Sequence, residues 1–187
     1  MDIENAKKLR GWMSDHELHW LAEQAAKCNT IIEIGCAYGR STLAMAENCS
    51  ATIYAVDTWV GSPAELLTNH KDYKELEGDF AIVAFYSNLA ENINAGIVRP
   101  MRMHSRNAAL YFQVRDLLAD MIFIDGCHDY EAVLEDIANY MPLLVSGGIL
   151  CGHDYDDSNW PGVKKAVDEL LPEHKIAPLT RIWYVKL

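Results

Sequence analysis

Acidic and imidazole side chains follow two apolar runs of the sequence. FIDGCHDYE places Asp125 and His128 three residues apart across a glycine-containing turn, and HDYDD places His153 and Asp154 after a second apolar run. Carboxylate oxygens suit Mg²⁺, and a histidine, with an unperturbed pKa of about 6.5, suits the role of a general base. Together these groups can take the proton from a hydroxyl group and stabilise the resulting alkoxide with a divalent cation.

The pattern leaves alternatives open for the metal ligands and for the base. Asp125 and Asp154 are the favoured ligands, and His153 is the alternative to Asp154. Asp125 can instead cap the helix that follows, and His128 can instead be a hydrogen-bonded turn residue. No motif identifies a third protein ligand. The candidates without a motif are Glu65, Glu75, Glu77 and Asp79.

A turn rich in small residues joins an apolar run to a stretch with helical spacing. In IIEIGCAYGRSTLAMA, the acid Glu33 is followed by Gly35 and Gly39. Glycine lets a backbone turn sharply and approach a ligand closely. The E-x-G-x-x-x-G pattern lacks the lysine and the G-K-[ST] ending of a phosphate-binding loop. The ligand of this turn therefore need not be a pyrophosphate.

A second acid closes the next apolar run, ATIYAVD, at Asp57. A carboxylate at the end of the second strand of a nucleotide-binding sheet can accept hydrogen bonds from ribose hydroxyls. Glu33 suits a cationic amino-acid tail better than a diphosphate. Glycines in the first turn and an acid on the second strand predict a cofactor that contains a nucleoside. The spacing disfavours a nicotinamide cofactor.

The elements that must position these residues alternate along the chain. Central strands that are apolar on both faces, with helices between them, are typical of a mostly parallel sheet covered on both sides, an α/β fold. Ligands of such sheets bind at the carboxyl ends of the strands, where the acids and glycines lie. The predicted strands are 30–34, 51–57, 97–102, 120–126, 148–154, 174–178 and 181–186, and the predicted helices include 14–27, 40–48 and 106–118.

The domain organisation predicted from the sequence is simple. No repeat or change of composition divides residues 1–187, so we expect one domain that begins with the helix at 14–27, where Ser14 and Glu17 have capping-box spacing. The segment 58–96 is long for a connection in a compact domain, which favours a lid or a substrate-binding surface.

Composition excludes several classes of protein. The 187 residues carry a formal net charge of −11, which argues against a broad nucleic-acid surface. No apolar run is long enough to cross a membrane, and the N-terminus lacks the apolar core of a signal peptide, so we expect a cytoplasmic protein. The five cysteines are odd in number and form no C-x-x-C pair, which disfavours a zinc cluster or a disulfide framework.

Five motifs in order resemble one family. E-I-G-x-x-x-G-R-S-T, V-D-T-W, F-I-D-G-x-H-x-Y-E, P-L-L-x-x-G-G and H-D-Y are similar to those of class I S-adenosylmethionine-dependent methyltransferases. They resemble most closely the small-molecule O-methyltransferases, including those that act on macrolide sugars. The resemblance implies a Rossmann-like fold whose seven-stranded mixed sheet has an antiparallel last strand and helices on both faces. It also implies S-adenosyl-L-methionine as cofactor, with Mg²⁺ as a second one.

The resemblance also assigns roles to residues. Asp57 would hold the ribose, Trp59 would lie against the cofactor, and His104 and Ser105 stand where the family often places an acid or amide near the adenine. His128 would be the base and Asp125 a metal ligand, with Asp154 or His153 beside it. The residues expected to bind the cofactor are Glu33, Gly35, Cys36, Gly39, Asp57, Thr58, Trp59, His104, Ser105 and Asp125.

The expected partner is a small hydroxylated molecule such as a sugar, with no nucleic acid and no membrane, and the chain is expected to form a homodimer. Two alternatives remain open. One is a metal-independent methyltransferase that acts on an amine or a carboxylate. The other is a non-catalytic module that binds S-adenosylmethionine.

Overall fold

The computed structural model describes residues 1–61 and 79–187. The intervening residues, 62–78, make up the middle of the segment 58–96 in which a lid is predicted. This part of the predicted lid lies outside the described residues, and the lid stays a prediction.

Seven strands of the described chain form one sheet. They are β1 (Thr30–Ile34), β2 (Thr52–Asp57), β3 (Val98–Arg102), β4 (Ala119–Ile124), β5 (Leu144–Gly152), β6 (Lys175–Ile176) and β7 (Trp183–Lys186). Their order in the sheet is β3-β2-β1-β4-β5-β7-β6. Strands β1 to β5 pair in parallel, and β7 runs antiparallel to both β5 and β6. The mixed seven-stranded sheet with an antiparallel last strand is thus confirmed.

The described helices lie between the strands. They are α1 (Glu4–Lys8), α2 (Asp15–Ala25), α3 (Arg40–Ala46), α4 (Phe80–Asn88), α5 (Ala90–Asn94), α6 (Ser105–Val114), α7 (Tyr130–Tyr140) and α8 (Pro161–Leu170), with a 3₁₀ turn at Met141–Leu143. Among these helices, none combines the length and apolarity that a membrane crossing requires.

Both faces of the sheet are covered because successive side chains of a strand point to opposite sides. Ile31 of β1 belongs to a core that includes Leu21 of α2, and its neighbour Ile32 belongs to a second core with Ile137 of α7 and Val167 of α8. The central strands are therefore apolar at nearly every position, which is the pattern that predicted a buried parallel sheet.

Local sequence signals explain where several helices begin and end. Ser14 caps α2 in a capping box, in which its backbone N–H donates to Glu17 Oε2 at 2.7 Å. Pro161 occupies the first turn of α8. The helix predicted to reach residue 118 ends at Val114, because Asp116 adopts a left-handed φ of 49°, a conformation that commonly ends helices.

Candidate active site

A cavity of about 1150 Å³ opens at the carboxyl edge of the sheet. Its walls come from the loops that follow β1, β2, β3, β4 and β5, together with residues of α7 and the β6–β7 connection. Predicted site residues that line the cavity are Gly35, Asp57, Thr58, Trp59, His104, Ser105, Asp125, His128, His153 and Asp154. The parallel topology brings these loops together, as expected for a doubly wound sheet.

The first glycine of the turn allows two loops to touch. Gly35 has a φ of 86°, and a Cβ atom placed on it would lie 2.0 Å from the carbonyl oxygen of Asp125. On the other side of Asp125, its N–H donates to Ile34 O at 2.8 Å. The β1 and β4 loops are therefore packed backbone to backbone, and only glycine fits at position 35.

Gly39, Glu33 and Cys36 lie outside the cavity wall. Gly39 is the N-cap of α3, and a Cβ there would lie 2.7 Å from a methyl carbon of Leu89. Glu33 is fully buried, and its carboxylate oxygens accept hydrogen bonds from Ser41 and Thr42 in the first turns of α3. These residues support the turn from beneath, and direct contact of any of them with a cofactor stays a prediction.

Burial favours the neutral form of the Glu33 carboxyl group. Burial raises the pKa of Glu33 to about 7, against the opposing effect of the hydrogen bonds from Ser41 and Thr42. The thiol of Cys36 is also buried, and burial raises its pKa well above the ordinary value. Cys36 is therefore not a nucleophile in this structure.

Asp57 ties the first two loops together. Its Oδ2 accepts hydrogen bonds from the backbone N–H groups of Cys36 at 2.8 Å and Ala37 at 2.9 Å, and its Oδ1 accepts one from Trp59 at 2.6 Å. Burial raises the pKa of Asp57, and these backbone hydrogen bonds oppose the rise. Since Asp57 also lines the cavity, a ribose contact remains predicted for it.

The backbone is strained at three positions around the cavity. Ala37, Trp59 and Asp154 have φ values of 41°, 52° and 58°, which are uncommon for residues other than glycine. Trp59 is almost wholly buried, donates from Nε1 to Ala37 O at 2.8 Å and packs against Phe85. Strain of this kind persists where surrounding contacts hold it, and it is concentrated at functional sites.

The acids and the imidazole predicted to act together do lie together. One ligand atom from each of Asp125, His128 and Asp154 falls within 4.8 Å of the others. His128 Nε2 is 2.9 Å from Asp154 Oδ2, and the imidazole stacks on Trp160 with ring centroids 4.0 Å apart. The stack and the ion pair fix the orientation of the imidazole at the cavity wall.

His153 lies among three carboxylates. Its Nε2 is 3.0 Å from Glu17 Oε1, and its Nδ1 is 3.3 Å from Asp154 Oδ2 and 3.5 Å from Asp125 Oδ1. Burial alone would lower the pKa of His153, but these carboxylates raise it well above the ordinary value. Burial would likewise raise the pKa of Glu17, but His153, the Arg181 N–H and Ser14 lower it to about 2. These carboxylates therefore favour the protonated form of His153.

Asp154 is the most heavily engaged acid of the cluster. In addition to the two histidines, Arg181 Nη1 lies 3.2 Å from its Oδ1 and 3.8 Å from Asp156 Oδ2. Burial would raise the pKa of Asp154, but the two histidines hold it well below its ordinary value. The carboxylate is therefore ionised, and basic side chains neutralise its charge.

The other candidates for a third metal ligand do not join this cluster in the described residues. Glu65, Glu75 and Glu77 lie outside the described residues. Asp79 pairs instead with Arg102, with Nη2 and Oδ1 2.7 Å apart. The third member of the cluster is His128.

Several cavity and cluster residues carry no motif that the sequence analysis used. Trp160 lies far along the chain from His128, on which it stacks, and Arg181 lies far from Asp154, with which it pairs, so no local spacing reveals these contacts. The capping-box spacing of Glu17 does not indicate its second contact, which is with His153. Asp136 was detectable from the sequence, because it places an acid within the apolar face of α7 that Val133 and Tyr140, among others, form.

The sheet order, the reversed last strand, the glycine turn after β1 and the acid after β2 together define a Rossmann-like class I methyltransferase. A family model described as a methyltransferase domain matches residues 32–155, so the chain belongs to this methyltransferase domain family.

Known proteins with similar folds are methyltransferases. The structure is similar to that of CalS11, a calicheamicin methyltransferase, with a TM-score of 0.70, 15% identity, and coverage of 90% of this chain and 76% of that chain. It is also similar to an O-methyltransferase from Bacillus cereus solved in complex with S-adenosylhomocysteine, with a TM-score of 0.66, 15% identity, and coverage of 99% and 87%. At these identities the likeness concerns the fold.

A curated relative also matches by sequence. Uncharacterized protein R132 of Acanthamoeba polyphaga mimivirus is 29% identical over 138 residues, which are 68% of this chain and 62% of the relative. The matched part thus spans less than two thirds of the relative's length.

Proposed function

We propose that this protein transfers the methyl group of S-adenosylmethionine to a hydroxyl group of a small molecule. The observation that carries the proposal is the 2.9 Å contact between His128 Nε2 and Asp154 Oδ2 on the wall of the cavity that the glycine turn also lines. A cofactor-binding module without an acceptor would have no need of an oriented base there.

The residues around the first two loops fit the cofactor. Gly35 leaves room for close approach of a ligand to the backbone, Asp57 offers carboxylate oxygens at the end of β2, and Trp59 presents an aromatic wall. A relative of the same fold was solved with the demethylated cofactor. When bound, S-adenosylmethionine supplies an electrophilic methyl group on its sulfonium.

His128 is the proposed general base. An imidazole whose Nε2 faces the ionised Asp154 keeps Nδ1 as the atom that accepts a proton from the acceptor hydroxyl. Asp154 then stabilises the imidazolium, and Trp160 keeps the ring from rotating. The oxygen that has lost its proton is the nucleophile for the methyl carbon.

The carboxylates of Asp125 and Asp154, each with an oxygen within 4.8 Å of the other, fit a hard divalent cation in type, since carboxylate oxygens suit Mg²⁺ and Mn²⁺. Asp125 and Asp154 would hold the ion, which would leave His128 as the base. The ion would supply Lewis acidity at the acceptor oxygen.

A metal-independent enzyme is the second candidate, and a specific observation favours it. His153 and Arg181 already place positive charge against Asp125 and Asp154. Turnover in the presence of EDTA distinguishes the two candidates. Loss of transfer that Mg²⁺ or Mn²⁺ restores supports the metal-assisted reaction, and undiminished transfer supports the second candidate.

The acceptor proposed is a sugar or a similar polyhydroxylated molecule. CalS11, of similar fold, is a TDP-rhamnose 3'-O-methyltransferase. The cavity of about 1150 Å³ exceeds the range of roughly 300–1,000 Å³ typical of small-molecule sites, so it has room for a cofactor and an acceptor together.

Calorimetry tests whether the protein binds the cofactor on which the proposed function depends. S-adenosylmethionine and S-adenosylhomocysteine should bind, and NAD should not. If neither bound the intact protein, the proposal would be wrong. A different outcome is that both compounds bind and yet S-adenosylmethionine is not converted to S-adenosylhomocysteine with any hydroxylated acceptor tested, including TDP-rhamnose. That result would show that the protein is a non-catalytic module that binds S-adenosylmethionine.

A further inference from the structure

A buried carboxylate that does not belong to the acid and imidazole cluster also lines the cavity. Asp136, in the middle of α7, is only 5% exposed and belongs to the cavity wall. Its Oδ2 would lie 3.9 Å from a Cβ placed on Gly126, the second residue after β4. The group therefore lies where the end of β4 meets α6 and α7.

Polar groups of α6 and α7 surround Asp136, and His104, just before α6, lies close enough to lower its pKa. The Ser105 hydroxyl hydrogen-bonds to its carboxylate, and one turn later the Tyr140 hydroxyl donates to Ser105 O at 2.7 Å. The neighbouring Arg106 pairs instead with Glu135, with Nε and Oε1 3.4 Å apart.

Burial is costly for a carboxylate. Burial raises the pKa of Asp136 to about 6, against a lowering by Ser105 and His104. A carboxylate has acceptor sites beyond the one that a single hydroxyl uses. Such a group is expected where a ligand brings a donor of its own.

The nearby walls suit a flat base. Ile34, Val56 and Met103 line the same cavity and offer apolar surface, and the last two belong to or pack against the core beneath α6 and α7. Asp57, at the end of β2, pairs with Arg102 of β3, and His104 follows β3 just before α6. If the ribose of the cofactor binds at Asp57, the base attached to it would extend along the loop after β3, towards Ser105 and Asp136.

We propose that Asp136 selects the adenine of the cofactor by accepting a hydrogen bond from its exocyclic amino group. The inference rests on the proposed function. It assigns to α7 the acid that the loop after β3 lacks, since that loop holds His104 and Ser105. Ser105 is then the residue that orients Asp136.

Calorimetry with two nucleosides tests the assignment. S-adenosylhomocysteine carries the amino group, and S-inosylhomocysteine carries an oxo group in its place. The wild type should bind the adenine compound about 10- to 100-fold more tightly, the worth of one hydrogen bond to a charged group. In Asp136→Asn, whose amide can donate to the oxo group, this ratio should fall at least tenfold. In Glu131→Gln, an exposed position of the same helix, it should not change.

The outcomes separate this inference from the proposed function. Equal affinity of the wild type for the two compounds overturns the role of Asp136 even if no variant folds. An unchanged ratio in folded Asp136→Asn overturns it as well, while the proposed function survives because S-adenosylhomocysteine still binds. Failure of the wild type to bind either compound overturns both.

Discussion

At the scale of single residues, Asp154 organises the catalytic end of the cavity. Its two oxygens face His128, His153 and Arg181, and its φ of 58° is held by these contacts. A carboxylate shared among three basic groups fixes each of them, so the orientation of His128 depends on residues distant in sequence.

The role of His128 gives the first prediction. His128→Ala should slow methyl transfer by about 10²- to 10⁴-fold, the usual contribution of a general base. Affinity for S-adenosylhomocysteine should hardly change, because His128 is not among the residues expected to bind the cofactor. His19→Ala, at an exposed position of α2, is the matched control. Full turnover in His128→Ala would remove this residue from the mechanism.

The buried acid Glu33 gives a prediction about pH. Its folded pKa is about 7, above the ordinary 4.5, so the folded state keeps a proton that the unfolded state releases. Stability therefore falls as pH rises from about 4.5 to 7 and is constant above, a loss on the order of 3 kcal/mol. Glu33→Gln removes this loss.

Thermal unfolding of both proteins between pH 5 and 8 measures the effect. The melting temperature of Glu33→Gln relative to the wild type should rise with pH. A difference that stays flat across this range would show that Glu33 titrates normally.

At the scale of elements, the loops after β1 and β4 act as one unit. Gly35 N donates to Val56 O at 2.9 Å, and its Cα faces the carbonyl of Asp125 so closely that no side chain fits. The cofactor turn and the acid that begins the catalytic loop are thus positioned against each other by backbone packing.

Gly35→Ala should therefore be far more costly than an ordinary glycine substitution. It combines left-handed strain with a clash against backbone, and should lower the free energy of unfolding by more than about 3 kcal/mol and weaken cofactor binding. Gly96→Ala has a similar φ of 75° but open space, and should cost only about 1–2 kcal/mol. Denaturant unfolding compares them, and equal losses would contradict the proposed packing of the loops.

At the scale of the whole molecule, Glu17 joins both ends of the chain to the site. It completes the cap of α2, accepts a hydrogen bond from Arg181 N at 3.0 Å and pairs with His153. Helix α2, the end of β5 and the β6–β7 connection therefore meet at one buried carboxylate.

Removing that charge should destabilise the fold as a unit. Glu17→Gln leaves His153 buried without one of its counter-charges, and a loss of about 3–5 kcal/mol is expected for a broken buried pair. Glu23→Gln, on an exposed position of α2, should change the free energy of unfolding by less than about 0.5 kcal/mol. Chemical denaturation measures both, and a Glu17→Gln protein as stable as the control would contradict this junction.

Much of the architecture followed from local pattern. The alternation of apolar strands with helices, the capping box at Ser14 and Pro161 at the start of α8 depend on neighbours within a few residues, which the sequence displays directly. The convergence of Asp125, His128 and Asp154 was also predictable, because the carboxyl ends of parallel strands share one edge of the sheet.

The sequence by itself therefore determined the class of sheet, the edge that holds the site and the acids and imidazole found there. Only the tertiary structure decided what those groups contact. Glu33 turned out to lie beneath the glycine turn, and Arg181, Trp160 and Asp136 were brought to the cavity from other elements. The physical reason is that side-chain partners across a fold depend on packing between distant segments, whereas strand and helix patterns depend on the periodicity of each segment alone.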